Sequence, residues 1–282
     1  MADGPAVSVI IPTWNRAATV IPAIESALRQ THAPLEVLVC DDASTDDTEE
    51  RVRRMSDPRV RWLPGPRGGR PAIPRNRGMA AARGEWLAFL DSDDEWLPHK
   101  LEAQLAAVTK SGRLASCTNA WRIVEGVRQP EPLLDRPPAI LGLDTMLAGN
   151  IVVCSSALIH RSLIATVEGF PEPKLFTAIE DYAMWLRVSV LTEFDCLAAP
   201  CVLYRDDPAG SLRADGIEGP RQRIEILIDF LAWCRRHPSL RGWRAEIAAR
   251  RYRFKYKLWR ANEVPRVERI RRRLAAVWHG RR

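Results

Sequence analysis

What this chain lacks narrows its class first. Among its 282 residues no apolar run approaches the roughly 18 to 20 needed to cross a bilayer. The opening Met1-Ala2-Asp3-Gly4-Pro5 has no basic stretch followed by an apolar one, so no export signal is expected. Six cysteines (40, 117, 154, 196, 201 and 234) include no CxxC pair, and several sit in apolar runs. They are expected to be reduced, buried thiols of a cytoplasmic protein and not zinc ligands. Gly65, Gly68 and Gly69 form neither GxGxxG after a strand nor GxxxxGK[ST], which disfavours a dinucleotide fold or a P-loop.

What is present fits a folded enzyme-sized domain. A hydrophobic fraction of 46% over this length supports one large core or two tightly joined halves. The net charge of +7 is unevenly placed. Residues 221–282 hold 19 Lys and Arg against 5 Asp and Glu, leaving 23 against 30 in the first 220. The acidic part suits a cation site, and the basic end needs its own explanation.

The most telling stretch is Trp86-Leu87-Ala88-Phe89-Leu90-Asp91-Ser92-Asp93-Asp94. A continuous apolar run of this kind reads as a strand buried on both faces, and it ends in three carboxylates within four positions. Period two sends Asp91 and Asp93 the same way. Two like charges held that close repel, and a hard divalent cation such as magnesium or manganese relieves them. The plain alternative is an acidic turn capping the helix expected from Pro98 to about Val108.

Around it the chain alternates strands and helices. Val7–Ile11 reads as a strand stopped by Pro12, followed by a helix over 17–30 with Val20, Ile24, Ala27 and Leu28 on one face. Leu35–Cys40 is a second strand, ending at Asp41-Asp42 before a helix near 47–55. Arg59–Leu63 is a third. A loop rich in Gly, Pro and Arg (64–74) leads to a helix at 75–82. That order argues for a parallel sheet with right-handed crossovers, whose ligands bind beyond the carboxyl ends of the strands. Thr13, Asp41, Asp42, Asp91 and Asp93 all fall at such ends. The arginines of the loop, Arg67, Arg70 and Arg75, are either ligands for a diphosphate or base, or soluble surface.

Farther on, 113–121 and 122–127 read as two strands and 129–138 as a proline-rich loop. A short helix follows at 143–148, then an apolar segment at 150–159 containing Ser155 and Ser156. Glu180-Asp181 opens a helix to about Val190. Either those acids only favour the helix dipole, worth under about 1 kcal/mol, or one faces the cleft as a general base. Cys196–Tyr204 is a strand, and 205–219 a loop with the composition of a mobile lid. The last sixty residues are helical. Arginines 269 and 271–273 are interleaved with Val267, Ile270, Leu274, Val277 and Trp278, which suits an anionic membrane surface or a helix with a solvated basic face. No nucleic-acid recognition module is visible, so none is expected as a partner.

Taken together, VSVIIPTWNR, VLVCDDASTDDT, PRNRGMAAARGEWLAFLDSDDEW, SSALIHRS with GFPE, EDYAMWLR, and YR followed by GSL resemble glycosyltransferase family 2. The likeness runs from Val7 to about Ser211. It implies inverting enzymes of the GT-A fold: an α/β, Rossmann-type mixed sheet flanked by helices, here with a C-terminal helical extension. The implied layout is a GT-A domain over 1–220, with a nucleotide-binding half (1–110) and an acceptor half (111–220), then a basic extension over 221–282.

By the same resemblance, Pro12, Thr13 and Asn15 lie against the nucleotide, and Asp41 or Asp42 holds its base or ribose. Arg75 approaches base and diphosphate. Asp91-Ser92-Asp93 is the DxD motif, with Asp91 near the ribose and Asp93 on Mn2+ or Mg2+. Asp181 is the catalytic base, and Glu180 orients the acceptor or supports the helix. The donor is expected to be a nucleotide sugar, a UDP-sugar foremost, and the acceptor a saccharide or lipid-linked hydroxyl. The setting is polysaccharide or glycolipid synthesis in the cytoplasm, with peripheral contact at the inner face of the membrane. Relatives often carry histidine two residues after the Tyr-Arg pair, where this chain has Asp207. A carboxylate there reaches a metal but repels a diphosphate. The rival readings are a nucleotidyltransferase of similar sheet, for which Thr13-Trp14-Asn15-Arg16 is a poor match, and a non-catalytic binding module, against which Asp91, Asp93 and Asp181 together argue.

Overall fold

A computed structural model of the chain describes residues 4–206 and 219–240. Four strands open the fold: β1 (Val7–Thr13), β2 (Glu36–Asp41), β3 (Val60–Leu63) and β4 (Trp86–Phe89). β1, β2 and β4 are buried at every residue, as continuous apolar runs in a parallel sheet must be. They pair in the order β3-β2-β1-β4, all parallel. The crossovers carry α1 (Val20–Leu28), α2 (Thr48–Arg53) and α3 (Ala72–Ala81).

In the second half the strands no longer all run the same way. After the short β5 (Glu95–Trp96) and α4 (Lys100–Ser111) come β6 (Ala115–Val124), β7 (Val127–Pro132), β8 (Ile140–Leu141), α5 (Leu143–Ala148) and β9 (Leu158–His160). Then follow α6 (Ile164–Val167), α7 (Glu180–Leu191), β10 (Phe194–Arg205) and α8 (Gly219–Arg236). All ten strands join one sheet, β3-β2-β1-β4-β9-β6-β10-β5, with β7 on β6 and β8 on β10. β9 is antiparallel to both its neighbours, so the sheet is mixed.

Residues alternate between two apolar layers, as a strand's period of two demands. Val9, Ile11, Ile24, Leu101 and Leu105 fill one side. Ile10, Leu38, Phe89, Phe170, Trp185 and Phe194 fill the other. On that second side Phe89 meets Phe170 edge-on at 5.2 Å, and Trp185 lies 5.8 Å from Phe170. Each such side chain, fully buried, contributes about 1.5–3 kcal/mol. α8 closes over the same layer, with Ile226, Phe230 and Trp233 buried. Arg187 of α7 donates to Asp229 at 2.6 Å, and the Trp233 indole donates to the Thr166 carbonyl at 2.9 Å.

Several local expectations need correction. Pro12 does not stop β1; it pairs in register with Cys40. The Ile10 carbonyl accepts from Leu90. By period two Pro12 turns toward that same side, one step past the end of β4, where no donor is missed. The two strands expected over 113–127 are one strand, β6, followed by a turn. That turn is Glu125-Gly126, both at positive φ (50° and 77°), the conformation that joins antiparallel strands tightly. The first four residues of the proline-rich loop belong to strand β7, an edge position that tolerates Pro130 and Pro132. β5 and β8, two residues each, are too short to leave a pattern. None of the six cysteines is in a disulfide; five are buried and Cys234 is half-buried. The lid expected to contain Asp207 and the basic helix expected near the end of the sequence fall outside the described residues.

Candidate functional site

The site is assembled at the carboxyl ends of the strands. At the tips of β1 and β2, Asp41 accepts from the Ser44 amide at 3.0 Å and from its hydroxyl at 2.5 Å. That hydroxyl also accepts from the Asn15 amide at 2.9 Å. The Asn15 side chain in turn accepts from the Thr45 amide at 2.8 Å. Asn15 sits at φ 50°, a left-handed position its residue type tolerates. Asp42 is buried and takes the Gly68 amide at 2.6 Å, the Gly69 amide at 2.8 Å and the Arg67 guanidinium. A Cβ at Gly68 would meet Ile73 at 2.5 Å and Asp42 at 3.1 Å, so glycine is what lets the loop reach this carboxylate. Arg67 also lies 3.7 Å from the ring centroid of Trp14, which is 45% exposed. The Thr13 hydroxyl is buried beside them without a hydrogen-bond partner.

At the end of β4 the chain turns through Asp91, Ser92, Asp93 and Asp94. The first of these accepts from Arg75 at 2.6 Å; Arg75 reaches Glu180 at 2.5 Å with its other terminal nitrogen. Ser92 is buried in the turn. Asp93 keeps a third of its side chain exposed and pairs with Arg16 at 3.5 Å. Burial first, then the neighbouring Asp91, holds its carboxyl above the usual carboxylate range. Asp94 is buried at the centre of the turn. It accepts from the Ser155 hydroxyl at 2.5 Å and from the Arg205 amide at 2.8 Å, while Ser155 accepts from the Asp91 amide at 3.0 Å. It thus ties β4, the turn at Cys154–Ser156 and the last residue of β10 to one point. Burial, Asp91 and Asp93 push its proton affinity well up.

Asp181 lies in the first turn of α7, half-buried, with the Asn150 amide at 3.4 Å. Burial above all, then Glu180, pushes its carboxyl up to about 7, while Arg75 pulls it down. Asp91 raises it further. The second Glu180 oxygen is buried without a hydrogen-bond partner.

The structure therefore brings Asp91, Arg75, Glu180 and Asp181 into one cluster, with Asp93 beside Asp91. Thr13, Asn15, Asp41 and Asp42 form a second group at the neighbouring strand tips, and Pro12 lies one residue back inside β1. Two participants were missed from the sequence. Asp94 was visible as the third carboxylate of the turn, and Ser155 as a polar residue inside an apolar segment. Neither position announces its partners, which come from 61 and 111 residues away.

A divalent cation fits this chemistry in one form. Among the described residues no three His, Cys, Asp or Glu side chains converge on a point. Asp93, part-exposed and carrying a raised proton affinity, suits a cation held by one carboxylate and completed by water and substrate phosphates.

Comparison with known proteins agrees with the fold. The profile of Glycosyl transferase family 2 matches residues 8–167. The Escherichia coli UDP-Glc:alpha-D-GlcNAc-diphosphoundecaprenol beta-1,3-glucosyltransferase WfgD is 32% identical over 228 residues, covering 80% of this chain and 86% of that protein. The putative teichuronic acid biosynthesis glycosyltransferase TuaG of Bacillus subtilis (strain 168) is 30% identical over 189 residues, covering 65% and 72%. Among solved structures, S. aureus TarS 1-349 in complex with UDP-GlcNAc superposes with a TM-score of 0.67 at 20% identity, over 81% of this chain. The overlap takes in 66% of that chain, just under two thirds, and shows a shared fold. This chain belongs to glycosyl transferase family 2 and is a glycosyltransferase with the GT-A fold.

Proposed function

We propose that this protein is an inverting hexosyltransferase that moves a sugar from a UDP-sugar to a hydroxyl of a lipid-linked saccharide. The observation that carries the reading is Asp181: a half-buried carboxylate, raised to about 7, in one cluster with the acidic turn at the end of β4. The donor class is supported by the names of relatives that use UDP-Glc and by a structural neighbour that binds UDP-GlcNAc. The acceptor class is supported by relatives acting on GlcNAc-diphosphoundecaprenol.

The donor nucleotide lies across the tips of β1 and β2, where the unpartnered Thr13 hydroxyl has a hydrogen bond to give. Asp91 faces the ribose. Asp93 would hold Mn2+ or Mg2+, and the bound ion would offset charge on the departing diphosphate. Asp181 accepts the proton of the acceptor hydroxyl as that oxygen bonds to the anomeric carbon. The bond from that carbon to the diphosphate breaks on the opposite face. A single base with no enzyme nucleophile gives inversion. Carboxylate chemistry of this kind runs near neutrality because Asp181 is ionised only above about 7.

The cytoplasmic setting and a peripheral membrane contact belong to the same proposal. They are supported by the lipid-linked substrates of the relatives and by the basic composition of 241–282. Among the described residues no helix is long and apolar enough to cross a membrane. The test is a panel of nucleotide sugars scored by thermal stabilisation with and without manganese, since a ligand of the folded state raises its stability. A UDP-sugar is expected to stabilise most, and more so with manganese. If no nucleotide sugar raises the melting temperature, the reading is lost.

A further inference from the structure

We propose that Arg75 is a positioning residue of the transfer reaction: it spaces the donor-side carboxylate Asp91 and the base Asp181 by gripping Asp91 with one nitrogen and Glu180 with the other. The inference rests on the reading of Asp181 as base. It assigns Arg75 to a bridge between the two substrates' sides and not to the nucleotide itself.

Three observations carry it. Both terminal nitrogens are taken, Nη2 by Asp91 at 2.6 Å and Nη1 by Glu180 at 2.5 Å. Arg75 is only 3% exposed, so it presents no free face to a diphosphate. Its guanidinium lies 5.3 Å from the ring of Phe170, which packs on Phe89 of β4 and Trp185 of α7. The arginine is therefore seated on a ring that itself packs against the two elements whose carboxylates it joins. Those carboxylates are 16 and 105 residues from it in sequence. A planar fork makes two directed hydrogen bonds at once; a lysine ammonium is a point charge and does not hold both in register. Glu180 directly precedes the base, so fixing Glu180 fixes the first turn of α7 relative to β4.

The bridge also sets the electrostatics of the base. Among the described residues, the charged and titratable groups facing Asp181 are Glu180 on its own helix, Arg75 from α3, Asp91 after β4 and the Cys154 thiol. Asn150 meets it with a neutral amide. Arg75 is the cation of that set, and it lies between the three carboxylates.

The experiment uses the full chain with UDP-glucose and manganese, following UDP release to water from pH 5 to 9, and UDP binding by titration calorimetry. Arg75→Lys should keep UDP affinity within threefold and lower release at least tenfold. Release within threefold of the unaltered protein would overturn the proposal. So would a loss of UDP affinity matching the loss of release, which would make Arg75 a donor ligand. Glu180→Gln leaves Arg75 paired with Asp91, so it reaches the bridge without stranding a buried charge, even if Arg75→Lys does not fold. Release at pH 9, where Asp181 is ionised in both proteins, should fall at least threefold with UDP affinity kept; an unaltered rate there counts against the bridge. Asp181→Asn separates the two claims. If it still releases UDP, the base assignment itself fails. If it is inert while Arg75→Lys is not, only the role of Arg75 fails.

Discussion

Asp42 and Asp181 are carboxylates on the rim of one sheet, yet they are built in opposite ways. Asp42 is buried and saturated: two backbone amides and a guanidinium meet its two oxygens. Asp181 is half-buried, beside two other carboxylates, with one arginine to share among them. The first arrangement orders a loop, because every lone pair is spoken for by backbone that must stay in place. The second leaves a proton acceptor with its affinity raised into the working range. Donor supply, more than residue type, separates frame from chemistry here.

The largest break in that contrast comes at Asp181. Asp181→Asn should lower transfer by about 10²–10⁴-fold, the usual worth of a general base, and leave UDP-sugar affinity unchanged in calorimetry. In the unaltered protein kcat/KM should fall as pH drops through about 7, because the base form is lost there. The linkage sign is the reverse for stability. The folded state binds this proton more tightly than the unfolded chain, so ionising Asp181 costs stability as pH rises from the ordinary carboxylate value of 3.8 toward 7. Asp181→Asn should therefore gain on the unaltered protein in denaturant melts at pH 8 relative to pH 4.

Asp93→Ala comes next. At a ligand concentration of 100 times Kd, a UDP-sugar stabilises the fold by about 2.7 kcal/mol. The manganese-dependent part of that stabilisation should vanish in the variant, and an unchanged manganese effect would remove Asp93 as the metal carboxylate.

Lys100 sharpens the comparison from outside the cleft, where burial acts with no carboxylate partner. It is fully buried, donates to Gln104 at 2.7 Å and lies 4.1 Å from the Trp96 ring. Burial depresses its ammonium to about 7. The unfolded chain holds that proton more tightly, so stability rises with pH from about 7 toward the ordinary lysine value of 10.5. Lys100→Met should be stabilising by roughly 1–3 kcal/mol at pH 6, on the order of the cost of a poorly compensated buried polar group. The advantage should shrink by pH 10. A pH-independent difference would mean the amine is not the cause.

The smallest effect belongs to the saturated end. Asp42→Asn loses one acceptor and should cost about 0.5–1.5 kcal/mol in denaturant, without moving the acid limb of activity. A shift of that limb would show that the two groups of carboxylates are electrostatically one.

Much of this could be read without coordinates because it is local. Strand β4 with its acidic end and the acidic first turn of α7 are each written in fewer than a dozen consecutive residues, and the parallel order of β1 to β4 in the alternation of strand and helix over 7–89. Boundaries failed where neighbours decided them. Pro12 stays in β1 because β4 ends beside it, and β7 holds two prolines because it lies at an edge. The strands β5 and β8 exist only because β10 offers them partners.

By itself the sequence determined which residue types stand at the strand tips, since period two and the run lengths are properties of a single segment. It also carried the family, through motifs in order. Only the tertiary structure decided what surrounds each carboxylate. Whether an aspartate is saturated, as Asp42 and Asp94 are, or crowded, as Asp181 is, depends on donors brought from tens of residues away by chain crossings. Electrostatic energy follows distance in space and the water left around a charge, and neither quantity is written along the chain.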